Sequence, residues 1–249
     1  MTCLSLPSNV AHLWYVYPDA IDDWYLLAAY HSIMSADEAE QQARYRFTAG
    51  RKEYLVTRAL VRSVLSAYAP ILPRDWMFVR NEHGRPEISG PSGAPRFRFN
   101  LSNTRGLIVC LVARDREVGV DVEDVHRPGE TVAVADRFFS PFESAMLNRQ
   151  PLHRQRDRFF DYWTLKEAYI KARGMGLSIP LDHFSYHLEN PDAIRISFTP
   201  ELRDDPERWQ FSLTTLGGRH RIATAIERLR GEAPIGIEML RTVPFDHAR

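Results

Sequence analysis

Apolar and polar positions alternate along the chain with two different periods, and these periods mark out strands and helices. Residues 12–17 are an aromatic and β-branched run that predicts a strand, and residues 25–30 predict a short apolar helix. Leucine and valine recur at helical spacing over residues 51–68, which predicts a longer helix. Residues 77–80 predict a strand, whereas the Gly- and Pro-rich stretch 81–95 predicts a loop.

The remaining pattern predicts strands, then a group of helices, then strands again. Residues 97–101 and 106–113 predict two strands that a polar turn at 102–105 separates, and residues 118–122 predict a third. Helices are predicted at about 130–138, from Ser140 onward and over 155–173, and strands near 184–189, 193–198, 208–216 and 221–227. The second half therefore repeats the element order of the first in outline.

Two capping boxes mark helix starts, one in each half of the chain. Ser35 is followed three residues later by Glu38, and Ser140 by Glu143. The first box opens a polar helix that ends near Phe47. With a polar junction near the middle of the chain, the expected organisation is a first subdomain at 1–114, a second at 115–230 and a patternless tail at 231–249.

Composition and charge narrow the classes of function. The chain is 44% hydrophobic and 26% charged, with a formal net charge of zero, so it is a folded globular protein without the basic excess of a nucleic-acid binder. Cys3 and Cys110 form neither a disulfide framework nor a zinc motif, which favours a reducing cytoplasm. No signal peptide and no membrane-spanning run are expected.

Acidic residues alternate with valine in the segment from Val118 to Glu123. If this segment is a strand, Asp121 and Glu123 stand side by side on one face, because side chains two residues apart share a face. Two adjacent carboxylates repel each other and need either a cation or solvent. From this pattern alone, the exposed face of an edge strand is favoured over a Mg²⁺ site, although Mg²⁺ prefers such oxygen ligands.

A second acidic element lies on the helix predicted over 155–173. Trp163, Glu167 and Lys171 are four residues apart and share one helical face. A surface Glu–Lys pair, worth only about 0.2–0.5 kcal/mol, is the plainer explanation. Because Trp163 is costly to expose, the face also fits a partly buried site in which the glutamate binds a metal and the lysine binds a phosphate. Gly174 suits the helix C-terminus.

Together these two acidic motifs resemble the Sfp-type 4′-phosphopantetheinyl transferase superfamily. The carrying segments are residues 119–123 and 163–171, about 40 residues apart, and shorter motifs at 84–86, 99–103 and 137–140 support the resemblance. The resemblance implies an α+β fold with two similar subdomains related by pseudo-twofold symmetry, and an active site in the cleft between them.

The resemblance also implies which residues bind each ligand. Asp121, Glu123 and Glu167 would hold Mg²⁺, and Lys171 would contact the phosphates of coenzyme A. One departure from the family is Asn103, which stands where many relatives have histidine and cannot carry a charge. The expected coenzyme contacts are Arg44, Arg51, Arg58, Arg85, Ser102, Asn103, Lys166 and Lys171.

The implied reaction is Mg²⁺-dependent transfer of phosphopantetheine from coenzyme A to a serine of an apo carrier protein by a monomeric enzyme. Glu167 is the first candidate for the general base and Glu143 the second, with Lys171 neutralising the pyrophosphate. The carrier class, whether acyl, peptidyl or aryl, stays open. A metal-dependent pyrophosphate hydrolase and a non-catalytic binding module are the alternatives, and the presence of all three carboxylates disfavours the second.

Overall fold

Two α+β units, each with its own hydrophobic core, form in the computed structural model, which describes residues 3–129, 131–190 and 193–246. The first unit comprises Met1–Arg80, Pro86–Asp115 and Gly236–Arg249, and the second comprises Asn81–Arg85 and Arg116–Ile235. The mixed α+β class predicted from the sequence is confirmed. A single cut near residue 114 does not describe the division, because the short Asn81–Arg85 segment belongs to the second unit.

The secondary structure follows the hydrophobic periods closely. The helices are α1 Trp24–Ser32, α2 Ala36–Ala43, α3 Thr48–Tyr68, α4 Pro141–Asn148 and α5 Leu152–Arg173. The strands are β1 Val10–Val16, β2 Met77–Arg80, β3 Pro86–Gly90, β4 Phe97–Thr104, β5 Leu107–Arg114, β6 Val118–Asp124, β7 Phe184–His187, β8 Arg195–Phe198, β9 Trp209–Leu216, β10 His220–Glu227 and β11 Gly236–Arg241.

A four-stranded sheet with the order β11-β1-β5-β4 organises the first unit. Strands β1, β5 and β4 pair antiparallel, and β11 adds to the outer edge of β1 in parallel. The apolar face of α3 shares a core with alternate residues of β5, namely Ile108, Cys110 and Val112. A separate ribbon of β2 and β3 completes the strands of this unit that the structure describes.

A three-stranded antiparallel sheet with the order β6-β10-β9 organises the second unit, and β7 pairs with β8 in a separate ribbon. Helix α5 lies against β6 and β10, where Ala223 and Ala225 of β10 are fully buried beside it. These small residues, and glycine in β6, let a helix lined with large aromatic side chains approach the sheet. Strand β6 lies at the edge of this sheet, yet both of its faces are largely buried.

Two predicted elements have different bounds because backbone pairing extends beyond the apolar pattern. Strand β4 continues through the predicted polar turn to Thr104, so the turn is only Arg105 and Gly106, with Gly106 at a φ of 82°. Strand β3 lies inside the predicted loop at 81–95 and pairs with β2. The helix predicted at 130–138 starts outside the described residues, and its remainder is the 3-10 helix Val132–Arg137.

The predicted tail at 231–249 is not a separate segment. Its first five residues belong to the second unit, and β11 returns to the first unit to pair with β1. Most side chains of β11 are exposed, so this edge strand carries little hydrophobic pattern for a sequence to show. Residues 247–249 lie outside the described part. Within that part, no helix is both long and apolar enough to cross a lipid bilayer.

An ion pair between Arg116 and Glu232 predicts a measurable acid sensitivity of the second unit. Nη1 and Nη2 of Arg116 donate to Glu232 at 2.9 Å, and this bonding lowers the pKa of the carboxyl to about 2. The stabilisation is present above the unfolded pKa of about 4.5 and is lost as the pH falls through about 2.

The variant Glu232→Gln is therefore expected to be less stable than the parent chain at neutral pH, and the difference should shrink between about pH 5 and about pH 2. Urea denaturation of both proteins across this range measures it. A stability difference that does not change with pH would contradict this assignment.

Candidate active site

The two predicted acidic motifs meet where β6 lies against α5. Gly119, Asp121 and Glu123 alternate along β6 and face the helix. A methyl group at position 119 would overlap the carbonyl oxygen of Ala168 and the amide nitrogen of Ala172, so only glycine permits this approach. Because the helix covers this face, it is not the solvated face that the Asp-x-Glu pattern alone favoured.

The helix supplies the opposing side chains from the single face that the sequence predicted. Trp163 Nε1 donates to Glu123 Oε1 at 2.8 Å, and Lys171 Nζ donates to Asp121 Oδ1 at 2.6 Å. Glu167 lies between these two anchors on α5 and is half-buried. The structure thus brings Asp121, Glu123, Glu167 and Lys171 together.

Glu123 is held at both carboxylate oxygens. Arg127 Nε lies 3.2 Å from Oε2, and Trp163 donates to Oε1. Burial raises the pKa of Glu123, the charge of Asp121 raises it further, and Arg127 opposes both effects. Its orientation is therefore fixed by the Trp163 indole, which belongs to the second acidic motif, and by the Arg127 guanidinium, which neither motif includes.

Glu167 has the most perturbed carboxyl group of the three. The pKa of Glu167 is raised to about 7. Burial is the largest cause, and the negative charges of Asp121 and Glu123 add to it, whereas the positive charge of Lys171 opposes the rise. The pocket therefore disfavours three simultaneous negative charges unless another cation enters.

The donor set has the chemistry that Mg²⁺ requires, since carboxylate oxygens are its preferred protein ligands. In the part of the chain that the structure describes, no three His, Cys, Asp or Glu side chains converge closely enough to hold a metal ion as they stand. The ammonium group of Lys171 contacts Asp121 directly, at 2.6 Å. The three carboxylates therefore fit Mg²⁺ in ligand type.

Comparisons with known proteins agree with this geometry. One family model, described as the 4′-phosphopantetheinyl transferase superfamily, matches residues 117–225, and another, described as 4′-phosphopantetheinyl transferase, N-terminal, matches residues 22–116. The 4′-phosphopantetheinyl transferase HetI of Nostoc sp. is 31% identical over 70% of this chain and 73% of its own length. The chain belongs to the 4′-phosphopantetheinyl transferase superfamily.

Other members of the superfamily match over similar lengths. The 4′-phosphopantetheinyl transferase Sfp of Bacillus subtilis is 32% identical over 66% of this chain and 71% of its own length. The L-aminoadipate-semialdehyde dehydrogenase-phosphopantetheinyl transferase of Xenopus laevis is 26% identical over 85% of this chain and 74% of its own length. The regions matched by the two family models include both acidic motifs and parts of both units.

Two of the predicted site residues in this phosphopantetheinyl transferase form a buried ion pair. Lys166 Nζ lies 2.8 Å from Glu143 Oε2, and both side chains are fully buried. The ammonium also donates to the carbonyl oxygens of Leu181 and Phe184, so its three donors are used within the fold. The predictions that Lys166 binds the coenzyme and that Glu143 is an alternative base are therefore corrected, because neither group reaches solvent.

The Arg85 side chain also forms its hydrogen bonds within the fold instead of pointing toward a ligand-accessible surface. Its Nη1 donates to the carbonyl oxygen of Ala172 at 2.8 Å, its Nη2 donates to Glu117, and its side chain is 9% exposed. Asn81 from the same turn donates to the carbonyl oxygen of Gly174 at 2.9 Å. These contacts satisfy the last carbonyls of α5, so the predicted coenzyme contact of the Arg85 side chain is corrected to a helix-capping role.

The remaining predicted coenzyme contacts lie in the first unit and differ in exposure. Arg44 is exposed and pairs with Glu40 at 2.7 Å, and exposed Arg51 donates to the carbonyl oxygen of Tyr45 at 2.8 Å. Arg58 on α3 is half-buried, with 14% of its side chain exposed, and desolvation lowers its pKa. Arg44 and Arg51 are thus the more exposed of the three arginines, and Arg58 lines a surface groove together with Arg44.

Ser102 and Asn103 occupy the end of β4, not the turn where they were predicted. Ser102 is buried and pairs with Val109, whereas Asn103 is exposed and donates its side-chain amide to Glu53. Burial raises the pKa of Glu53, and the Asn103 hydrogen bond opposes that rise. Asn103 is therefore accessible to a ligand, while its amide is already bonded.

Gly119→Ala is expected to destabilise the protein by about 1–3 kcal/mol and to lower its activity, because the added methyl group forces α5 away from β6. Urea denaturation and a transfer assay measure the two effects. Gly236→Ala is the matched control, since a methyl group there makes only ordinary contact with Val10 at 3.6 Å. Equal stability of the two variants would contradict the packing argument.

Proposed function

We propose that this chain transfers the 4′-phosphopantetheine arm of coenzyme A to a serine of an apo carrier protein. The observation that carries the proposal is the placement of Asp121, Glu123, Glu167 and Lys171 along the contact of β6 with α5 in a member of this superfamily. Paired carboxylates and a nearby ammonium are the groups that a pyrophosphate reaction needs.

The bond changes are those of a phosphoryl-type transfer. The serine oxygen of the carrier bonds to the β-phosphorus of coenzyme A, and the bond from that phosphorus to the bridging oxygen breaks. Adenosine 3′,5′-bisphosphate leaves with the bridging electrons. The serine proton passes to a base, and the protein contributes mainly by positioning the groups and neutralising charge.

Within this proposal, Asp121, Glu123 and Glu167 are the residues that would hold Mg²⁺. When bound, the ion supplies positive charge that offsets the negative charge of the pyrophosphate. The supporting observation is the donor set itself, three carboxylates in a partly buried pocket where ionising all three is unfavourable without an added cation.

The side chains of the chain take the other roles. Lys171 neutralises pyrophosphate oxygens, because its ammonium is the nearest lysine charge at the site and is 28% exposed. Glu167 is the first candidate to accept the serine proton, because it lies on α5 between Trp163 and Lys171 and is only half-buried. Glu143 is omitted because it is fully buried and bonded to Lys166.

We also propose that the protein acts as a monomer in the cytoplasm. Cys3 and Cys110 are both free thiols, and Cys110 is buried in the core of the first unit, which suits a reducing compartment. Light scattering of the purified chain tests whether the protein is a monomer.

Intact-mass spectrometry of several apo carrier proteins, incubated with the chain, coenzyme A and Mg²⁺, tests the function. A gain of one phosphopantetheine on a carrier, with none when Mg²⁺ is removed by chelation, is the expected result. Consumption of coenzyme A without any gain on the carriers would favour the pyrophosphate hydrolase instead. Binding of coenzyme A without any turnover would favour the non-catalytic module.

A further inference from the structure

Lys171 and Asp121 form a close ion pair at the centre of the site. The ammonium nitrogen lies 2.6 Å from Oδ1, the Asp121 side chain is 7% exposed and the Lys171 side chain is 28% exposed. A buried carboxylate is costly without a positive partner, and the lysine supplies that partner from the adjacent helix.

We propose that Lys171 is the resident counter-cation of Asp121 in the metal-free protein, and that metal binding displaces its ammonium group toward the phosphates of the coenzyme. This inference rests on the proposed function, because it takes the metal ligands from it. The same lysine then has two positions, one on the carboxylate and one on the substrate.

The exclusion between the two cations follows from distance and charge. A Mg²⁺ ion binds a carboxylate oxygen at about 2.0–2.1 Å, so an ion on Asp121 would lie within a few ångströms of an ammonium nitrogen on the same group. Two cations at such a distance repel strongly in a partly buried pocket. The divalent ion would hold the carboxylate because its double charge acts on several carboxylates at once, whereas the ammonium carries a single charge.

The surrounding structure allows the side chain to move while the helix stays in place. Lys171 lies in the last turn of α5, and Gly174 ends the helix in a left-handed conformation with a φ of 65°. Arg85 and Asn81 bond the carbonyls of Ala172 and Gly174. The end of the helix is thereby fixed, so the exchange takes place through rotation of the flexible lysine stem.

One consequence is coupling between the two ligands. Metal binding frees an ammonium group for the coenzyme phosphates, and coenzyme binding draws that ammonium away from Asp121. Each ligand therefore raises the affinity for the other by the same factor. The Lys171 ammonium lies at the pyrophosphate only when the metal and the coenzyme are both bound.

Lysine NMR of the full chain tests the exchange directly, because lysine occurs only at positions 52, 166 and 171. With isotope-labelled lysine, addition of Mg²⁺ without coenzyme is expected to shift the side-chain signal of Lys171. The signals of Lys52, which pairs with Asp22, and of buried Lys166 should stay in place. An unmoved Lys171 signal in protein that binds the metal would overturn the proposal.

Metal affinity supplies a second readout that does not depend on activity. In Lys171→Met, the dissociation constant for Mn²⁺, measured by electron paramagnetic resonance of the free ion, is expected to fall about tenfold, since the competing cation is gone. Lys52→Met is the matched control and should bind Mn²⁺ like the parent chain. Unchanged or weaker binding by Lys171→Met overturns the exchange.

The outcomes separate this inference from the proposed function. If the parent chain and Lys171→Met both fail to bind Mn²⁺ or Mg²⁺, the metal assignment fails and the exchange fails with it. If both bind with equal affinity, only the exchange fails. If the carriers gain no phosphopantetheine while the Lys171 signal moves as expected, the transferase function fails and the exchange stands.

Discussion

Asp121→Ala is expected to reduce phosphopantetheine transfer at least about a thousandfold, while the protein stays folded. The carboxylate is the buried member of the acidic group, and its loss removes one of the three proposed metal ligands. A metal ion at such a site stabilises the charge of the transition state by several kcal/mol, so its loss accounts for a change of this size. The lysine partner is partly exposed and can be hydrated once the carboxylate is gone.

The measurement is the rate of mass gain on a carrier protein at saturating coenzyme A, together with thermal denaturation of the variant. Asp121→Asn is the matched variant, since it keeps the side-chain volume and removes only the charge. Both variants should lose activity to a similar degree and melt close to the parent chain. Near-normal turnover in either would refute the assignment of Asp121 as a metal ligand.

The elements that form the site were predictable because their signals are local. The Ser140 capping box appears as predicted, with the Glu143 amide donating to Ser140 Oγ at 3.2 Å and the Ser140 amide donating to Glu143 at 3.0 Å. Helix α5 ends at Gly174, as a glycine at the C-terminus of a helix indicates. Alternation in β6 placed Asp121 and Glu123 on one face, and the structure has them there.

Features that depend on distant parts of the chain could not be predicted in this way. Strand β11 is defined by its pairing with β1 across most of the sequence, and its own side chains are largely exposed. Arg127, which also orients Glu123, lies outside both motifs, and the sequence placed Trp163 on the site face without showing its bond to Glu123. Arg85 was assigned to the coenzyme by resemblance, whereas the fold uses it to end α5.

The sequence itself contains evidence against the predicted coenzyme contact of Lys166. Lys166 and Lys171 are five residues apart, and at about 100° per residue they project about 140° apart around the helix. Two lysines so placed on one helix cannot both reach the same phosphate. Since Lys171 shares its face with Glu167 and Trp163, Lys166 had to face elsewhere, and it faces the buried Glu143.

The pair of Glu143 and Lys166 also has a counterpart in the first unit. Glu38, the capping-box glutamate of α2, accepts from the Ser35 amide at 3.0 Å and from Arg62 Nη2 at 2.8 Å. In both units, a capping-box glutamate therefore pairs with a cation on the long helix that follows. This shared contact is evidence that the two units repeat a structural device, beyond the element order that the sequence showed.

Lys166→Met is expected to destabilise the protein by about 3–5 kcal/mol, because it leaves the fully buried Glu143 carboxylate without its cation and two carbonyl oxygens without their donor. Urea denaturation measures the loss, and the folded fraction should bind coenzyme A with an unchanged dissociation constant. The double variant Lys166→Met with Glu143→Met should recover part of the stability, since it removes both buried charges.

Arg62→Met is the matched comparison in the first unit, and the expected loss there is smaller. Glu38 is 12% exposed and lies 4.0 Å from a second guanidinium, that of Arg58, so its charge is not left alone when Arg62 is removed. The contrast isolates complete burial as the cause of the larger effect. A stable Lys166→Met protein with weakened coenzyme binding would instead return Lys166 to the active site, because a lysine that only stabilises the fold cannot change affinity without changing stability.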